Sequence, residues 1–171
     1  RSSSPSRVHR MARKIQLAVD IGRRAVRVAK IRSGRRTTLA ATLFETIPSQ
    51  VDAEDPVAVG SMLAESMARA GIDPGPAVFA LDRSITSLKR LTLPTDDPDE
   101  LPDMVRLAVE RELPIDAEDA VIDFSILDRS SDGFLVETVA VPRREIERIE
   151  RIAEAAGMRV ARVAPRCHGA M

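Results

Sequence analysis

The sequence contains no tryptophan and no tyrosine, only one cysteine and only two histidines. The single cysteine, Cys167, excludes an internal disulfide, and with His9 and His168 as the histidines a metal site of clustered Cys and His is not expected. A histidine-activated nucleophile is disfavoured too, because the adjacent Cys167 and His168 have no third partner. The missing aromatic side chains also disfavour a stacking surface for single-stranded nucleic acid.

Long apolar runs are missing as well. No stretch approaches the roughly 20 apolar residues that a membrane-spanning helix needs, so we expect membrane contact only through a partner protein. Hydrophobic residues nevertheless make up 44% of the chain, which is enough for a packed core, and charged residues make up 30%. With its single cysteine, this composition indicates a protein of the reducing cytoplasm.

Acidic residues are scarce at the beginning of the chain. Asp20 is the one acid among a dozen Arg and Lys in the first 36 residues, although the formal net charge of the whole chain is zero. One interpretation is a tail that binds nucleic acid or anionic lipid, and the other is a solvated leader followed by an exposed hairpin. We prefer the second because half of these charges lie in predicted strands, and we expect no nucleic-acid partner. Residues 1–11 are interpreted as a disordered basic leader, with Met11 as the natural start.

The first half of the chain shows the pattern β-β-β-α-β. Alternating apolar and polar residues with short connections predict three strands in an antiparallel meander. These strands cover residues 15–20, 25–32 and 37–47. Asp55 and Pro56 predict the start of a helix that Gly71 ends. The short apolar run at residues 76–81 predicts a buried strand.

The second half shows the pattern β-α-β-β-α-β. Pro94 ends its first strand, and an acidic turn precedes its first helix. Residues 130–133 are typical of a hairpin, and Gly157 ends the second helix. The predicted elements cover, in chain order, residues 85–93, 99–112, 121–127, 134–141, 143–156 and 158–163.

The most informative motif is LAVDIGRRAVRVAKI, residues 17–31. A strand ends in Asp20, one residue follows, and Gly22 opens a tight turn into a second strand. A glycine lets the backbone approach a phosphate, and the turn amides can donate to its oxygens. The motif resembles the first phosphate loop of the actin, sugar-kinase and heat-shock-chaperone superfamily. An ordinary hairpin is the alternative, because Asp-x-Gly is common in turns.

Three further stretches extend this resemblance along residues 15–163. They resemble, in order and spacing, the family of the type IV pilus assembly protein PilM, whose relatives include the division protein FtsA and the secretion protein GspL. The stretches are FALDRSITSLKRLTLP, LPDMVRLAVERELPIDAEDAVIDFSIL and FLVETVAVPRREIERIERIAEAAGMRVARV. The chain is therefore similar to the N-terminal part of an actin-like ATPase domain.

The resemblance implies an α/β fold (α+β, with mixed sheets) in which a small β-α-β-β-α-β subdomain is inserted into an actin-like, ribonuclease-H-like subdomain. The actin-like subdomain would comprise residues 12–84 and 158–171 and would be incomplete. The inserted subdomain would comprise residues 85–157. The resemblance also implies a cytoplasmic scaffold, peripheral to the inner membrane, within the type IV pilus assembly platform.

The implied partner is the N-terminal cytoplasmic peptide of a PilN-like inner-membrane protein. Its groove would lie between the two subdomains. Apolar pockets would supply affinity, while Lys89, Arg90 and the acidic residues 97–103 would set the register of an extended tail.

The implied cofactor is ATP with magnesium. Asp20 would hold the magnesium ion through water, and Asp20, Gly22, Arg23 and Arg24 would surround the phosphates. Arginines stand here where the family usually has Ser or Thr, so guanidinium groups rather than hydroxyls would meet the phosphates. Arg27 falls where the family often has Lys. The second phosphate loop and the adenosine pocket belong to a later half of such proteins, so this chain alone is expected to bind ATP weakly or not at all.

Two other function classes stay open. The alternative to the scaffold is an active ATPase or small-molecule kinase of the same superfamily. No residue of this half is a candidate catalytic base, so we assign no catalytic residue and expect weak ATPase activity at most. A nucleic-acid-binding protein is the third interpretation. The carboxylates at positions 116, 118, 119 and 123 lack the spacing of a calcium loop and are interpreted as a solvated turn.

Overall fold

The computed structural model describes residues 15–33, 35–111 and 117–166, which form eight strands and three helices. Several sequence-based predictions fall outside these ranges. They are the leader at residues 1–11 with Met11 and His9, the carboxylate of Asp116, and the pair Cys167 and His168.

The larger sheet contains five strands in the order β3-β2-β1-β4-β8. β1 (Ile15–Ile21), β2 (Ala25–Arg32) and β3 (Thr38–Thr46) form the predicted antiparallel meander. β4 (Pro76–Leu81) pairs in parallel with β1, and β8 (Arg159–Pro165) pairs in parallel with β4. The carboxyl ends of β1, β4 and β8 therefore lie at one edge of the sheet, and their amino ends lie at the other.

Helix α1 (Pro56–Arg69) shows how short-range chemistry fixes an element. The Asp55 side chain accepts a hydrogen bond from the backbone N–H of Val57 at 2.9 Å, and Pro56 occupies the first turn, where no backbone N–H is needed. The helix ends at Gly71, whose φ of +66° is a left-handed conformation that glycine adopts easily. Both helix ends agree with the sequence-based prediction.

The main hydrophobic core lies between the larger sheet and two helices, α1 and α3 (Arg143–Ala155). The helices approach each other closely at Gly60 of α1. A Cβ atom added there would stand 2.6 Å from the carbonyl oxygen of Ile152 and 2.6 Å from the Cβ of Ala155. Although α3 falls within the range predicted for the inserted subdomain, its buried side chains belong to this core.

The smaller sheet has three antiparallel strands in the order β5-β7-β6. They are β5 (Ser87–Leu93), β6 (Ala120–Ser130) and β7 (Gly133–Pro142). Helix α2 (Leu101–Glu110) covers one face of this sheet and forms a second core, to which it contributes Leu101, Val105 and Val109.

Some boundaries differ from the prediction for local reasons. β5 begins later because residues Arg83–Ile85 form a 3₁₀ turn that Asp82 caps. α2 also begins later, because residues Pro98–Glu100 form a second 3₁₀ turn, capped by Asp97. β6 runs on to Ser130 because its pairing with β7 continues through polar residues.

The second face of the larger sheet is free of helices in the part of the chain that the structure describes. Helices α1 and α3 pack on the first face and α2 packs on the smaller sheet. Small residues occupy the centre of this open face, namely Ala18, Ala29, Ala80 and Ala164. None of the three helices combines the length and the apolar character needed to cross a bilayer.

Candidate functional site

The residues predicted to bind nucleotide form the β1–β2 turn at the carboxyl edge of the larger sheet. Asp20 lies near the end of β1 with its side chain largely shielded from solvent, whereas Arg23 and Arg24 are exposed. The N–H of Gly22 donates to the carbonyl oxygen of Ala25 at 2.9 Å. This hydrogen bond closes the turn, so the Gly22 amide has a partner within the hairpin.

Asp20 is the centre of an ion-pair network. One of its oxygens accepts from Arg166 at 2.6 Å, and the other accepts from Arg27 at 3.2 Å. Arg166 also donates to Asp82 at 3.1 Å. Arg27 in turn lies over the ring of Phe44, 5.3 Å from its centroid, in cation–π contact. Four charged side chains thus hold the carboxyl edge of the sheet together.

Asp82 and Arg166 were not identified by the sequence analysis. Each directly follows a strand of the parallel set, Asp82 after β4 and Arg166 after β8. The carboxyl ends of adjacent parallel strands are where functional side chains gather in α/β sheets. Charged residues that follow predicted strands could therefore have indicated this site. Recognising that they meet requires the strand order, which the sequence pattern does not give.

The surroundings of the network favour its charged form. The backbone N–H of Ser84, which donates to Asp82 at 2.9 Å, holds the pKa of that carboxyl below its ordinary value. The Ser84 hydroxyl lowers this pKa further, burial opposes both hydrogen bonds more weakly, and the charge of Arg166 adds a still smaller lowering effect. The hydrogen bond to Asp20 raises the pKa of the Arg166 guanidinium above its ordinary value.

Magnesium does not fit at Asp20 in this arrangement. Both carboxylate oxygens accept from guanidinium groups, and two adjacent positive charges would repel a divalent cation. Elsewhere in residues 15–33, 35–111 and 117–166, no group of three or more His, Cys, Asp or Glu side chains could hold a metal ion. The exposed guanidinium groups of Arg23 and Arg24 are compatible with a phosphate, and their assignment stays a prediction.

A cleft of about 840 Å³ separates the open face of the larger sheet from the smaller sheet. The small side chains of the open face form its floor, and the apolar side chains of Leu88 and Val139 line the opposite wall. This volume lies within the range of pockets that bind ligands, at about 300–1,000 Å³. The cleft is therefore the second candidate site.

Apart from Asp20, the charged side chains of the cleft are positive on the wall of the larger sheet and negative on the wall of the smaller sheet. Arg27, Arg162 and Arg166 belong to the larger sheet or follow it, whereas Asp123 and Glu137 belong to the smaller sheet. Arg27 and Arg166 are already paired with Asp20, and Glu137 is paired with Arg90. Within the described residues, Arg162 and Asp123 form no ion pair and can bind charged groups of a ligand.

The residues predicted to set the register of a bound peptide lie elsewhere. Of the described residues that line the cleft, none is Lys89, Arg90 or an acid of residues 97–103. Leu88 is the β5 residue on the cleft, and Arg90 contacts the carboxylate of Glu137 at 3.2 Å. Asp97 caps a 3₁₀ turn. These residues therefore lie outside the cleft, and their role in setting the register of a peptide stays a prediction.

No protein-family model and no curated protein sequence matches the chain. Solved structures match it closely in fold. A chain of the PilM–PilN type IV pilus biogenesis complex aligns with a TM-score of 0.79 at 21% identity, and the match covers 91% of this chain and 48% of that one. The cytoplasmic domain of EpsL, an inner membrane component of the type II secretion system of Vibrio cholerae, aligns with a TM-score of 0.65 at 18% identity, covering 89% and 57%.

The fold is actin-like. The predicted mixed α/β architecture is therefore confirmed. The chain spans about half the length of the two chains that it matches, at 48% and 57%. At these identities the likeness establishes the fold alone, and the division into residues 12–84, 85–157 and 158–171 stays a prediction.

The ion-pair network leads to a prediction about stability. Arg166→Gln should lower the free energy of unfolding by about 1 kcal/mol, the upper end for partly exposed ion pairs, because both Asp20 and Asp82 lose a partner. Arg162→Gln is the matched control on β8 and should cost almost nothing, since Arg162 has no ion pair within the described ranges. Urea denaturation measures both values. Equal stability of the two variants would show that the network contributes nothing.

Proposed function

We propose that this protein is a scaffold whose cleft binds a short, extended, mainly apolar peptide from the cytoplasmic end of an inner-membrane protein in a pilus or secretion assembly platform. The cleft carries the proposal, because both of its walls come from this chain. The likeness in fold to a chain of the PilM–PilN complex supports a PilN-like partner. In this function the protein acts in the cytoplasm, at the inner membrane, through that partner.

An extended peptide suits the cleft better than a helix or a compact ligand. The alanines of the floor let a peptide backbone approach the sheet closely, and the apolar wall offers contacts to every second side chain of an extended segment. Arg162 and Asp123, on opposite walls, fix the direction of a peptide that carries complementary charges.

An ATPase or small-molecule kinase is the second candidate function. The observation that favours it is the turn at Asp20 and Gly22, on an actin-like fold. Against it stand the two guanidinium groups on Asp20 and the absence, among the described residues, of a metal-binding cluster. In the proposed function ATP is at most a structural ligand of a longer form, and peptide binding does not need it.

Blocking the floor of the cleft tests the scaffold function. We expect Ala29→Phe to weaken binding of a labelled N-terminal peptide of a PilN-type protein at least about ten-fold, because the ring fills the space that the peptide backbone needs. Thr42→Phe is the matched control: Thr42 pairs with Ala29 on the next strand and does not line the cleft. Fluorescence anisotropy, with and without ATP, measures the affinities.

Charge reversal provides a second arm of the same experiment. Arg162→Glu should weaken binding of the peptide, whereas Arg151→Glu, on the exposed face of α3, should leave the affinity unchanged. Equal affinities for Ala29→Phe and Thr42→Phe would place the peptide outside the cleft. The absence of saturable binding to a folded sample, in either nucleotide condition, would refute the proposed function for this chain.

A further inference from the structure

The amino edge of the larger sheet carries a group of exposed arginines. Arg32 ends β2, Arg35 and Arg36 follow in the β2–β3 connection, and Arg159 begins β8. We call these four residues the basic edge. No ion pair joins any of them to a carboxylate within the described parts of the chain, whereas the neighbouring Lys30 is paired with Asp73 at 3.1 Å.

The basic edge is broad enough to act as one surface. Arg32 on β2 and Arg159 on β8 are separated by three strand spacings, which is about 14 Å. The stretch from residue 28 to residue 44, which runs through this edge, contains four Arg or Lys and no acid. Because the Debye length at physiological salt is about 8 Å, Arg159 does not reinforce the field of Arg32 and acts as a second positive point on the same edge.

An apolar side chain stands within this group. Leu39 of β3 pairs with Ile31, next to Arg32, and 64% of its surface is exposed. An exposed leucine at the same sheet edge as the arginines suits a lipid interface, where the apolar group enters the headgroup region and the guanidinium groups bind lipid phosphates. A nucleic-acid backbone would use the arginines and leave the leucine in water.

The cleft also reaches this edge of the larger sheet. Gln16 lines the cleft and pairs with Ile31, so the cleft reaches the amino edge of the sheet one residue from Arg32. We propose that the basic edge docks directly on the anionic phospholipid surface of a membrane. This interaction is additional to the peptide of the proposed function and does not depend on it.

Vesicle binding without any peptide tests this proposal. The full chain should sediment with vesicles that contain phosphatidylcholine and phosphatidylglycerol, and it should not sediment with vesicles of phosphatidylcholine alone. Added salt should release the bound protein. Each arginine near an anionic surface strengthens binding about five-fold, so the triple variant R32S/R35S/R36S should bind about 100-fold more weakly. Leu39→Ser should lose a few-fold in affinity at every salt concentration.

A matched triple variant separates this surface from overall charge. R111S/R144S/R151S removes the same number of exposed arginines elsewhere and should bind vesicles nearly as the parent does. Thermal melts establish that all variants are folded. Equal losses in the two triple variants, or equal binding to neutral vesicles, would overturn the proposal. Tighter binding to duplex DNA than to anionic vesicles, lost in R32S/R35S/R36S, would identify nucleic acid as the ligand instead.

Discussion

Replacing Gly133 with alanine should lower the free energy of unfolding by about 3–5 kcal/mol. Gly133 opens β7 with φ of +115°, a conformation that an alanine adopts only under strain. Its added Cβ would also collide with the carbonyl oxygen of Leu93 on the neighbouring strand, and backbone atoms cannot move away as a flexible side chain can. The hairpin and the pairing of β5 with β7 would be distorted together.

Two other glycines separate strain from collision. Gly71 has φ of +66° and nothing within 4 Å of its added Cβ, so Gly71→Ala should cost about 1–2 kcal/mol from backbone strain alone. Gly75 has neither a positive φ nor a close neighbour, and Gly75→Ala should be neutral within about 0.5 kcal/mol. Guanidinium unfolding should rank the variants in that order. A loss at Gly133 no larger than at Gly71 would show that the hairpin relaxes around the methyl group.

The contact between α1 and α3 should be the second most sensitive point. Alanine in place of glycine normally stabilises a helix by about 1 kcal/mol. At Gly60 we expect the opposite sign and a net loss of about 2–3 kcal/mol, because the new methyl would stand 2.6 Å from a backbone oxygen of α3 and force the helices apart.

Ser61 provides the matched control on the same helix. Ser61 is exposed, so Ser61→Ala changes helix propensity without changing the contact between helices and should stabilise slightly. Circular dichroism melts of the two variants should therefore shift in opposite directions. If Gly60→Ala also melted at a higher temperature than the parent, the close approach of α1 and α3 would not exist in solution.

Local chemistry predicts most elements of this fold. The cap at Asp55 and the left-handed glycines Gly71 and Gly157 mark helix ends through interactions between residues close in sequence. Alternation of apolar and polar residues marks the strands of the meander. The end of β6 shows where this information stops. Asp128, Arg129 and Ser130 carry no apolar pattern, and they are strand only because β7 pairs with them.

The candidate sites depend on contacts between distant residues. Asp20 and Arg166 are separated by 146 residues and meet because β1, β4 and β8 run parallel side by side. The motif therefore identified Asp20 but could not identify Arg166, which contacts it. The charges on the cleft walls were missed for a related reason. Strand register decides that Arg162 of β8 and Asp123 of β6 face the cleft, and the sequence does not give that register.

The junction between the smaller sheet and the helix layer contains no loop. β7 ends at Pro142 and α3 begins at Arg143, so the central strand of one cleft wall continues directly into the helix that contacts Gly60. A displacement of β7 would therefore act on the first turn of α3 without an intervening loop. The wall of the cleft and the contact between α3 and Gly60 thus belong to one continuous segment of the chain.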